Sequence, residues 1–579
     1  MMDERSPWAK LARDGEKRVT AALPLVDHCL DVGAAFSAIV PAWRAVLTTA
    51  AGRALTDQDI ARLTVLVALH DLGKANRGFQ ARYDDKVRPI VGHTAPVAAL
   101  LNHSTLRTGA AASALHAMIA AWDAREHFAA VMAHHGRPLQ AFYRDAEHQN
   151  RAWIGLVDHW WPKDGHDPAE DVMPLIEAAR ARWPLAWEDG PPLPDAPRFV
   201  ALFEGLVTLA DWLGSDERRF PIAGPHGAAR DALRQDEAMA AAAARGLQPL
   251  TTPDADFVAA FGNVPYGFQQ DAAAADLGAI ALIEAETGSG KTEAALWRWL
   301  ELRRREEVDG LFFALPTRAA AVQLHARVDK MLQDVWGSGG PRAVLAIPGY
   351  RRVGDAEGQA LPGYRVRWDK GEPGAADDER WAAERANRFL AARVAVGTID
   401  QALLGTLPVK HALFRAGVLA RSLLVVDEVH ASDAYMTGLL GRLLEHHVAV
   451  GGRALLLSAT LGGEARARFM GKPLPTQAEA EAAPYPAVSG VDAPPRAAVG
   501  SSAIKRVTIE VSGAIDDAGA IAARAVAAAR AGASVLVVRN TVDGAVAVAR
   551  AVAATAPELA FTVEGVATVH HGRFAPDDR

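Results

Sequence analysis

The sequence predicts a multidomain protein in which an all-α N-terminal domain precedes two α/β domains with parallel sheets, the second of them incomplete. Three observations support this prediction. The chain has 579 residues, more than one domain usually holds. Apolar residues recur at helical spacing through residues 1–220. From Ala279 onward, short apolar runs alternate with helical stretches, which is the pattern of α/β folds.

The N-terminal domain is predicted to be helical throughout residues 1–220. "DIARLTVLVALHDLGKA" and "RFVALFEGLVTLADWLGSD" place apolar residues three and four positions apart, and β-branched runs are scarce. Residues 221–260 contain several glycines and prolines, which predicts a linker that contains one helix.

The first α/β domain is predicted over residues 261–470. Its apolar runs are "AIALIEAE", "GLFFALPT", "ARVAVGTID", "SLLVVDEVH" and "ALLLSAT". Strands of this kind that alternate with helices form a parallel sheet covered on both faces. After a linker at 471–504, "RVTIEVSG" and "SVLVVRNTV" are each followed by a helical stretch, and they predict the start of a second α/β domain at 505–579.

The composition excludes several classes of protein. Cys29 is the only cysteine, so an intrachain disulfide and a cysteine-based zinc site are excluded, and a reducing compartment is favoured. The polar start "MMDERSPWAK" is no signal peptide, and no apolar stretch is expected to span a bilayer. We therefore expect a soluble, cytoplasmic protein with no membrane partner. The net charge of -7 still permits a nucleic-acid partner, because basic residues can be local.

A phosphate-binding loop is predicted at "AETGSGKT", residues 285–292, between a strand and the helix "KTEAALWRWLELRRR". Glycines let backbone N–H groups close around a phosphate at a helix N-terminus. Lys291 is expected to reach the β- and γ-phosphates and Thr292 to bind Mg²⁺. The rest of the ATP-binding loop is Thr287, Gly288, Ser289 and Gly290. The alternative is a Gly-Ser turn at a helix start, which the strand–loop–helix context disfavours.

"LVVDEVHASD", residues 424–433, places two acids at the end of a buried strand. Asp427 is expected to hold Mg²⁺ through water, and Glu428 to orient and deprotonate an attacking water. Alone, the pair could be a solvated strand end, but the upstream phosphate loop favours nucleotide hydrolysis.

The order of these motifs resembles that of the superfamily 2 helicases, whose core domains are RecA-like. The resemblance implies that Gln269 in "YGFQQ" recognises adenine. It implies strand contacts in "ALPTRAAAVQL" and "VGTIDQALLG", through Thr317, Arg318, Thr398, Asp400 and Gln401. Coupling of hydrolysis to strand movement is implied for His430, Ser458 and Thr460. Contacts to phosphates give a grip that does not depend on base sequence.

A second chemistry is predicted in the N-terminal domain from its histidines and acids. The candidate metal ligands are His28, His70, Asp71, His93, His134, His135 and Asp211. Imidazole and carboxylate bind divalent transition metals, and two ions that share a carboxylate can activate water against a phosphodiester. His103, His116, His127 and His159 fit no ligand pattern. "HD", then "HH", then a distant "AD" resembles the HD phosphohydrolases, which leaves nucleotides, cyclic dinucleotides and DNA open as substrates.

The two halves together resemble the CRISPR-associated helicase–nucleases of type I systems. "VGTIDQALLGTLPVKHALFRAGVLARSLLVVDEVHASDAYMTGLLGRLLE" carries this resemblance almost phrase by phrase. It implies that His28, His70, Asp71 and Asp211 hold one metal ion. It implies that Asp71, His93, His134 and His135 hold the other, with Lys74 near the scissile phosphate. Such mixed ligands suit Mn, Fe, Co or Ni and tolerate Mg less well.

The resemblance also implies an activity and its partners. The protein is expected to cleave single-stranded DNA, the displaced strand of an R-loop opened by a crRNA-guided surveillance complex. ATP would drive 3′–5′ translocation, in the cytoplasm of a prokaryote and for antiviral defence. One alternative is an HD phosphohydrolase acting on small nucleotides, with the P-loop domain as a regulatory sensor. Another is a protein that binds nucleic acid without cutting it.

Two features of the sequence bear on the motor. The chain stops before the last motifs of a second motor domain, whose arginines contribute on the order of 10³-fold to hydrolysis. ATP binding with little hydrolysis is therefore expected, and a fragment of a longer product is favoured over a separate supplementing polypeptide or a nuclease-only form. The basic clusters at 350–355 and 364–371 could line a strand channel or be solvated loops.

Overall fold

The computed structural model describes residues 6–84, 91–137, 153–163, 165–361, 365–369, 380–429, 434–498, 508–571 and 573. Met1–Ser501 forms one compact unit and Ser502–Arg579 forms another. The predicted fold class is confirmed, because the larger unit has a helical N-terminal region followed by an α/β region.

The N-terminal region is built from helices around α1. Its described α-helices are α1 (Leu25–Ala51), α2 (Asp57–Ala68), α3 (Arg77–Gln80), α4 (Thr94–Asn102), α5 (Ala110–Trp122), α6 (Arg125–Met132), α7 (Met173–Arg182), α8 (Pro197–Gly214) and α9 (Ala228–Ala244). By length and composition, α1 could cross a membrane, contrary to the expectation that no such stretch exists. Its apolar window is 72% buried against the rest of the fold, as the core helix of a globular domain would be.

A two-stranded hairpin that the sequence does not predict precedes α1. Its strands are β1 (Trp8–Arg13) and β2 (Val19–Pro24), which pair antiparallel. Gln80 donates to the Trp8 carbonyl at 2.9 Å and accepts from the Trp8 N–H at 3.1 Å. The Trp8 and Phe79 rings lie 5.0 Å apart. Contacts with residues far along the chain stabilise the hairpin, so local β-branched patterning carries no signal for it.

The α/β region contains one mixed sheet. Its strands, in sheet order, are β13 (Arg496–Ala497), β12 (Ala487–Gly490), β3 (Ile280–Glu284), β11 (Arg453–Ser458), β10 (Ser422–Val426), β4 (Gly310–Leu315), β9 (Val394–Thr398), β5 (Val344–Ala346), β6 (Arg352–Val353), β7 (Ala356–Leu361) and β8 (Arg365–Trp368). All five predicted runs form central parallel strands. Antiparallel strands extend both edges, and the described parts of the two basic clusters fall around β6–β8.

Helices connect and cover these strands. They are α10 (Phe257–Phe261), α11 (Gly267–Asp271), α12 (Lys291–Arg304), α13 (Arg318–Trp336), α14 (Asp400–Leu403), α15 (Ala412–Leu419), α16 (Ala434–Ala449), α17 (Gly463–Phe469) and α18 (Gln477–Ala482).

The register of the parallel strands brings their carboxyl ends to one edge. Leu315 in β4 pairs with Thr398 in β9, and Ser458 in β11 pairs with Glu284 in β3. Asp427 follows β10 at the same edge, since its N–H donates to the Ala314 carbonyl at 2.9 Å. Ligand sites in open α/β sheets lie at this edge.

The helical and α/β regions pack directly through α15 and α8. Gly205 in α8 faces the backbone of α15 so closely that a β-carbon would overlap the Leu413 carbonyl. The Trp43 indole donates to the Gly417 carbonyl at 2.9 Å. The Trp212 ring lies 4.5 Å from that of Phe414. The two regions therefore share a buried interface.

The segment 221–260 contains the predicted helix, α9, and that helix is held by buried ion pairs. Arg234 is 2.8 Å from Asp31 and 3.0 Å from Asp27, and Arg230 is 2.7 Å from Asp31. Farther on, buried arginines donate to backbone carbonyls of residues 246–250 and pair with Asp309; they are Arg303, Arg393 and Arg421. These contacts fix the segment to the regions on either side of it.

Replacing Arg234 with methionine is expected to lower the free energy of unfolding of the larger unit by about 3–5 kcal/mol, because it leaves buried carboxylates with reduced compensation. Denaturant titration followed by circular dichroism measures the change. Lys330→Met removes an exposed pair with Asp334 and is the control, with an expected loss under about 1 kcal/mol. Equal losses in the two variants would contradict the prediction.

The described residues of the smaller unit form two α-helices, α19 (Ala518–Arg530) and α20 (Val542–Thr555), which pack together, and a short hairpin of β14 (Thr562–Val563) and β15 (Val566–Ala567). The strands predicted in "RVTIEVSG" and "SVLVVRNTV" are wrong for the described residues. Val511 and Leu536 there are 98% and 86% exposed. A strand needs hydrogen-bonded neighbours, and the described part of this unit supplies none for these segments.

Candidate functional site

The structure brings all seven predicted metal-ligand candidates together. They reach one site from five helices, with His28 in the first turn of α1, His70 and Asp71 after α2, His93 before α4, His134 and His135 after α6, and Asp211 in α8. The helical packing around α1 therefore assembles residues as distant in the sequence as His28 and Asp211.

Asp71 lies at the centre of the cluster. Its Oδ2 is 3.1 Å from His28 Nε2 and 3.2 Å from His70 Nε2. Its Oδ1 is 2.9 Å from His93 Nε2 and 3.6 Å from His134 Nε2. One carboxylate thus faces four imidazoles, which suits it to bridge two ions.

The remaining candidates complete two groups. His135 Nε2 is 3.0 Å from His93 Nε2, and Asp211 Oδ1 is 3.6 Å from His70 Nε2. Lys74 Nζ is 2.5 Å from Asp71 Oδ2. Ligating atoms lie within 4.8 Å of one another in each of two sets, His28–His70–Asp71 and His93–His134–His135.

Backbone carbonyls orient two of the rings. Val67 accepts from His70 Nδ1 at 3.1 Å, and Val131 accepts from His134 Nδ1 at 2.8 Å, so each ring turns Nε2 towards Asp71. His70 Nε2 and Asp71 Oδ1 are buried and lack a hydrogen-bond partner of suitable geometry among the described residues. Buried polar atoms of this kind are costly unless something binds them. The donor set therefore fits divalent transition-metal ions.

The electrostatics of the site favour ligating forms at most positions. Burial lowers the pKa of His28 and of His134 to about 3, so both rings are neutral. Burial opposes the charge of Asp71, but Lys74, His70 and His93 outweigh it and hold the pKa of Asp71 well below its usual range. Burial also opposes a charge on His70, yet Asp71 and Asp211 raise its pKa to about 9. Metal ligation by His70 therefore requires its proton to leave.

Gly73 explains why the turn after α2 can meet His93. A β-carbon on Gly73 would overlap the His93 carbonyl. Asn76 joins the same two segments by donating to the Gly73 carbonyl at 2.6 Å and to the Gly92 carbonyl at 3.1 Å. The "HDLGKAN" sequence thus places the His93 backbone against the turn that carries Asp71.

Lys10 and Ser215 border this site and were not predicted. Lys10 Nζ donates to the Ser215 carbonyl at 3.0 Å, and Ser215 Oγ donates to Asp211 Oδ1 at 3.0 Å. Lys10 lies on the hairpin that the sequence analysis missed, so no sequence signal connected it to the cluster.

The histidines that fit no ligand pattern lie outside both sets; they are His103, His116, His127 and His159. His127 is completely buried between Phe199 and Phe203, at ring distances of 5.8 and 5.9 Å. Its role is in the packing of α6 against α8.

Burial lowers the pKa of His127 to about 4, and this predicts a pH dependence of stability. The unfolded chain takes up a proton near pH 6.5, whereas the folded chain resists it. The free energy of unfolding should therefore be fully retained above pH 6.5 and fall by up to about 3 kcal/mol towards pH 4. Denaturant titrations from pH 7.5 to 4.5 should show a shallower fall for His127→Phe than for the unsubstituted chain. Equal slopes would contradict the assignment.

The second candidate site is a cavity of about 680 Å³ at the carboxyl edge of the sheet. The phosphate loop, Gln269, Asp427 and Glu428 line it together, as the motifs predict. Lys291 Nζ donates to the carbonyls of Ala285 at 2.7 Å and Glu286 at 3.1 Å. Phosphate oxygens are the natural replacements for these carbonyl acceptors.

Gln269 joins the "YGFQQ" turn to the phosphate loop. Its Oε1 accepts from the Tyr266 N–H at 2.9 Å, and its Nε2 donates to the Gly290 carbonyl at 3.0 Å. Phe257, Phe261 and Tyr266 line the same cavity and were not predicted. Their signal was the aromatic spacing just upstream of Gln269, which could provide a surface for a base.

The predicted DNA-contact and coupling residues follow the strand ends, but they differ in exposure. Thr317, Arg318, Asp400 and Thr460 are exposed, and Thr317 also caps α13 by accepting from the Ala320 N–H. Buried positions are Thr398, Gln401 and Ser458. Burial argues against direct side-chain contact of Thr398 and Gln401 with DNA. His430 lies outside the described residues.

Comparison with known families agrees with this geometry. Residues 8–220 match the family model "Cas3, HD domain", and residues 266–469 match "DEAD/DEAH box helicase". The chain joins a Cas3-type HD region to a DEAD/DEAH-type helicase region. The predicted resemblance to CRISPR-associated HD–helicase fusions is therefore confirmed.

Individual Cas3 proteins show the extent of the similarity. The CRISPR-associated endonuclease/helicase Cas3 of Escherichia coli K12 is 29% identical over 493 residues, 78% of this chain and 54% of that protein. The one from Thermus thermophilus is 31% identical over 472 residues, 76% and 48% of the two chains. The crystal structure of T. fusca Cas3 with AMPPNP has a TM-score of 0.60 and 26% identity, covering 88% and 57%. The chain spans about half the length of the curated Cas3 relatives it matches.

Proposed function

We propose that this chain is a CRISPR-associated nuclease–helicase that cleaves single-stranded DNA in its helical region and uses ATP to translocate along DNA in the 3′–5′ direction. The observation that carries the proposal is the position of Asp71, which lies within 3.6 Å of four imidazole nitrogens. The cavity lined by the phosphate loop, Asp427 and Glu428 supports the motor.

In the nuclease, one divalent ion would be held by His28, His70, Asp71 and Asp211, and the other by Asp71, His93, His134 and His135. Bound ions would supply an activated water and stabilise the leaving oxygen of a phosphodiester. The buried imidazoles and Asp71 provide a fixed ligand frame. The Lys74 ammonium pairs with Asp71 at 2.5 Å and would lie near the scissile phosphate.

In the motor, Lys291 would exchange the carbonyls of Ala285 and Glu286 for the β- and γ-phosphates. Thr292 and Asp427 would hold Mg²⁺, and Glu428 would orient and deprotonate the attacking water. Gln269 would recognise adenine. The exposed Thr317 and Arg318 are the best placed of the predicted residues to contact strand phosphates. Ser458 and Thr460 would couple ATP hydrolysis to movement of the strand.

Partners follow from the same reasoning. We infer recruitment by a crRNA-guided surveillance complex to the displaced strand of an R-loop, in the prokaryotic cytoplasm. The guide complex reads the target by base pairing, so the nuclease needs contacts to backbone and stacked bases alone. The matched proteins are named as CRISPR-associated, which supports this setting.

The test is a substrate panel with purified protein. Labelled single-stranded DNA should be cleaved without ATP when Mn²⁺, Fe²⁺, Co²⁺ or Ni²⁺ is added, more weakly with Mg²⁺, and not with EDTA. Fully paired duplex of the same sequence is the matched control and should stay intact. Turnover of nucleotides or cyclic dinucleotides with DNA left uncut would contradict the proposal and favour a small-molecule phosphohydrolase.

A further inference from the structure

Lys10 is outside the seven candidate ligands but borders their site. It lies in β1 opposite Leu23 of β2, and β2 runs directly into α1, the helix of His28. Gln80 ties β1 to the turn that follows Asp71, because its Nε2 donates both to the Trp8 carbonyl and to the Lys74 carbonyl. The hairpin is thereby fixed against two of the segments that build the site.

A chain of two hydrogen bonds connects Lys10 with Asp211. The Lys10 ammonium donates to the carbonyl of Ser215, the residue at the end of α8, at 3.0 Å. The Ser215 hydroxyl donates to Asp211 Oδ1 at 3.0 Å. A carboxylate that accepts from a restrained donor has fewer orientations than one that does not, and such outer contacts orient metal ligands in many proteins.

Charge supports the same connection. Burial lowers the pKa of Lys10, whereas Asp211 and Asp71 act to raise it, so the ammonium interacts electrostatically with both carboxylates of the site.

We propose that Lys10 is a positioning residue for Asp211 and acts through Ser215. The hairpin is then a working part of the metal site as well as an N-terminal extension of the fold. The proposal rests on the proposed nuclease function, because it takes Asp211 as a ligand of a divalent ion.

The experiment is Mn²⁺ titration of the full chain by calorimetry, with cleavage of single-stranded DNA measured in parallel. Lys10→Met should weaken binding of one of the two ions by about 10–100-fold and leave the other unchanged. Lys10→Arg should restore part of the loss, because its guanidinium can donate to the same carbonyl. Lys330→Met removes an exposed lysine and is the matched control, with no change in Mn²⁺ binding.

Ser215→Ala tests the route and does not depend on the folding of a hairpin variant. It should weaken binding of the same ion. The double variant with Lys10→Met should lose no more Mn²⁺ affinity than either single variant, because both residues act in one chain of hydrogen bonds. Additive losses would overturn the route through Ser215.

Two further outcomes separate this proposal from the proposed function. Unchanged Mn²⁺ binding in Lys10→Met overturns the positioning role alone, and a raised KM with unchanged Mn²⁺ binding overturns it in favour of a substrate contact. Failure of the unsubstituted chain to bind Mn²⁺ overturns the positioning role and the nuclease together.

Discussion

Replacing Asp71 with asparagine should reduce metal-dependent cleavage of single-stranded DNA by more than about 100-fold. Losing a residue that merely orients a ligand costs about 10–100-fold, and Asp71 contacts four imidazoles itself. The neutral amide keeps the shape of the side chain but cannot hold two cations. Gel-based cleavage assays at saturating Mn²⁺, with calorimetric Mn²⁺ titration, measure the effect.

The choice of asparagine guards against a folding artefact. Asp71→Ala would leave Lys74 and a charged His70 buried beside an emptied position, at a cost of about 3–5 kcal/mol. Circular dichroism and binding of an ATP analogue should be unchanged in Asp71→Asn. Cleavage at the unsubstituted rate would show that the ligand assignment is wrong.

Replacing Lys291 with alanine should weaken binding of a fluorescent ATP analogue by about 10–100-fold. Hydrogen bonds from a charged donor to phosphate contribute about 1.5–3 kcal/mol, and Lys291 is the cation at the base of the loop. Fluorescence titration in the presence of Mg²⁺ measures the dissociation constant. Cleavage of single-stranded DNA without ATP should persist, which is the reverse of the Asp71→Asn result.

Glu428→Gln is the matched control for this second prediction. It lies in the same cavity, and it should retain analogue affinity because its expected role is to act on the attacking water. Loss of cleavage in Lys291→Ala would argue that the two sites are not chemically independent. Unchanged analogue affinity would remove Lys291 from the nucleotide site.

Short contiguous motifs made both candidate sites predictable. The phosphate loop and the acids after β10 each directly follow a buried strand. The same short sequence therefore predicts both the local fold and the chemistry. The metal cluster was predictable as a set because "HD", "HH" and "AD" are distinctive residue types. Its geometry was not, since the approach of His93 to Asp71 depends on Gly73 and on the packing of separate helices.

The elements that sequence reasoning missed depend on distant contacts. The hairpin of β1 and β2 is held by Gln80 and Phe79, and the antiparallel edges of the sheet are short strands with few β-branched residues. Two apolar runs of the smaller unit were predicted as strands, but their described residues form none, because residues with high β-propensity need a partner strand to pair with. The buried ion pairs of Arg234 in α9 with Asp27 and Asp31 were not predicted, because the glycines around α9 indicate only a linker.

The packing of α15 on α8 limits how far the helical region and the α/β region can be separated. A polypeptide ending before α15 would uncover the α8 face at Gly205 and Trp212, and would leave the Trp43 indole without its carbonyl acceptor. A protein fragment that ends at the end of the helical region would therefore expose an apolar surface and tend to aggregate. Exchanging the helical region between homologues would likewise require α15 to be exchanged together with it.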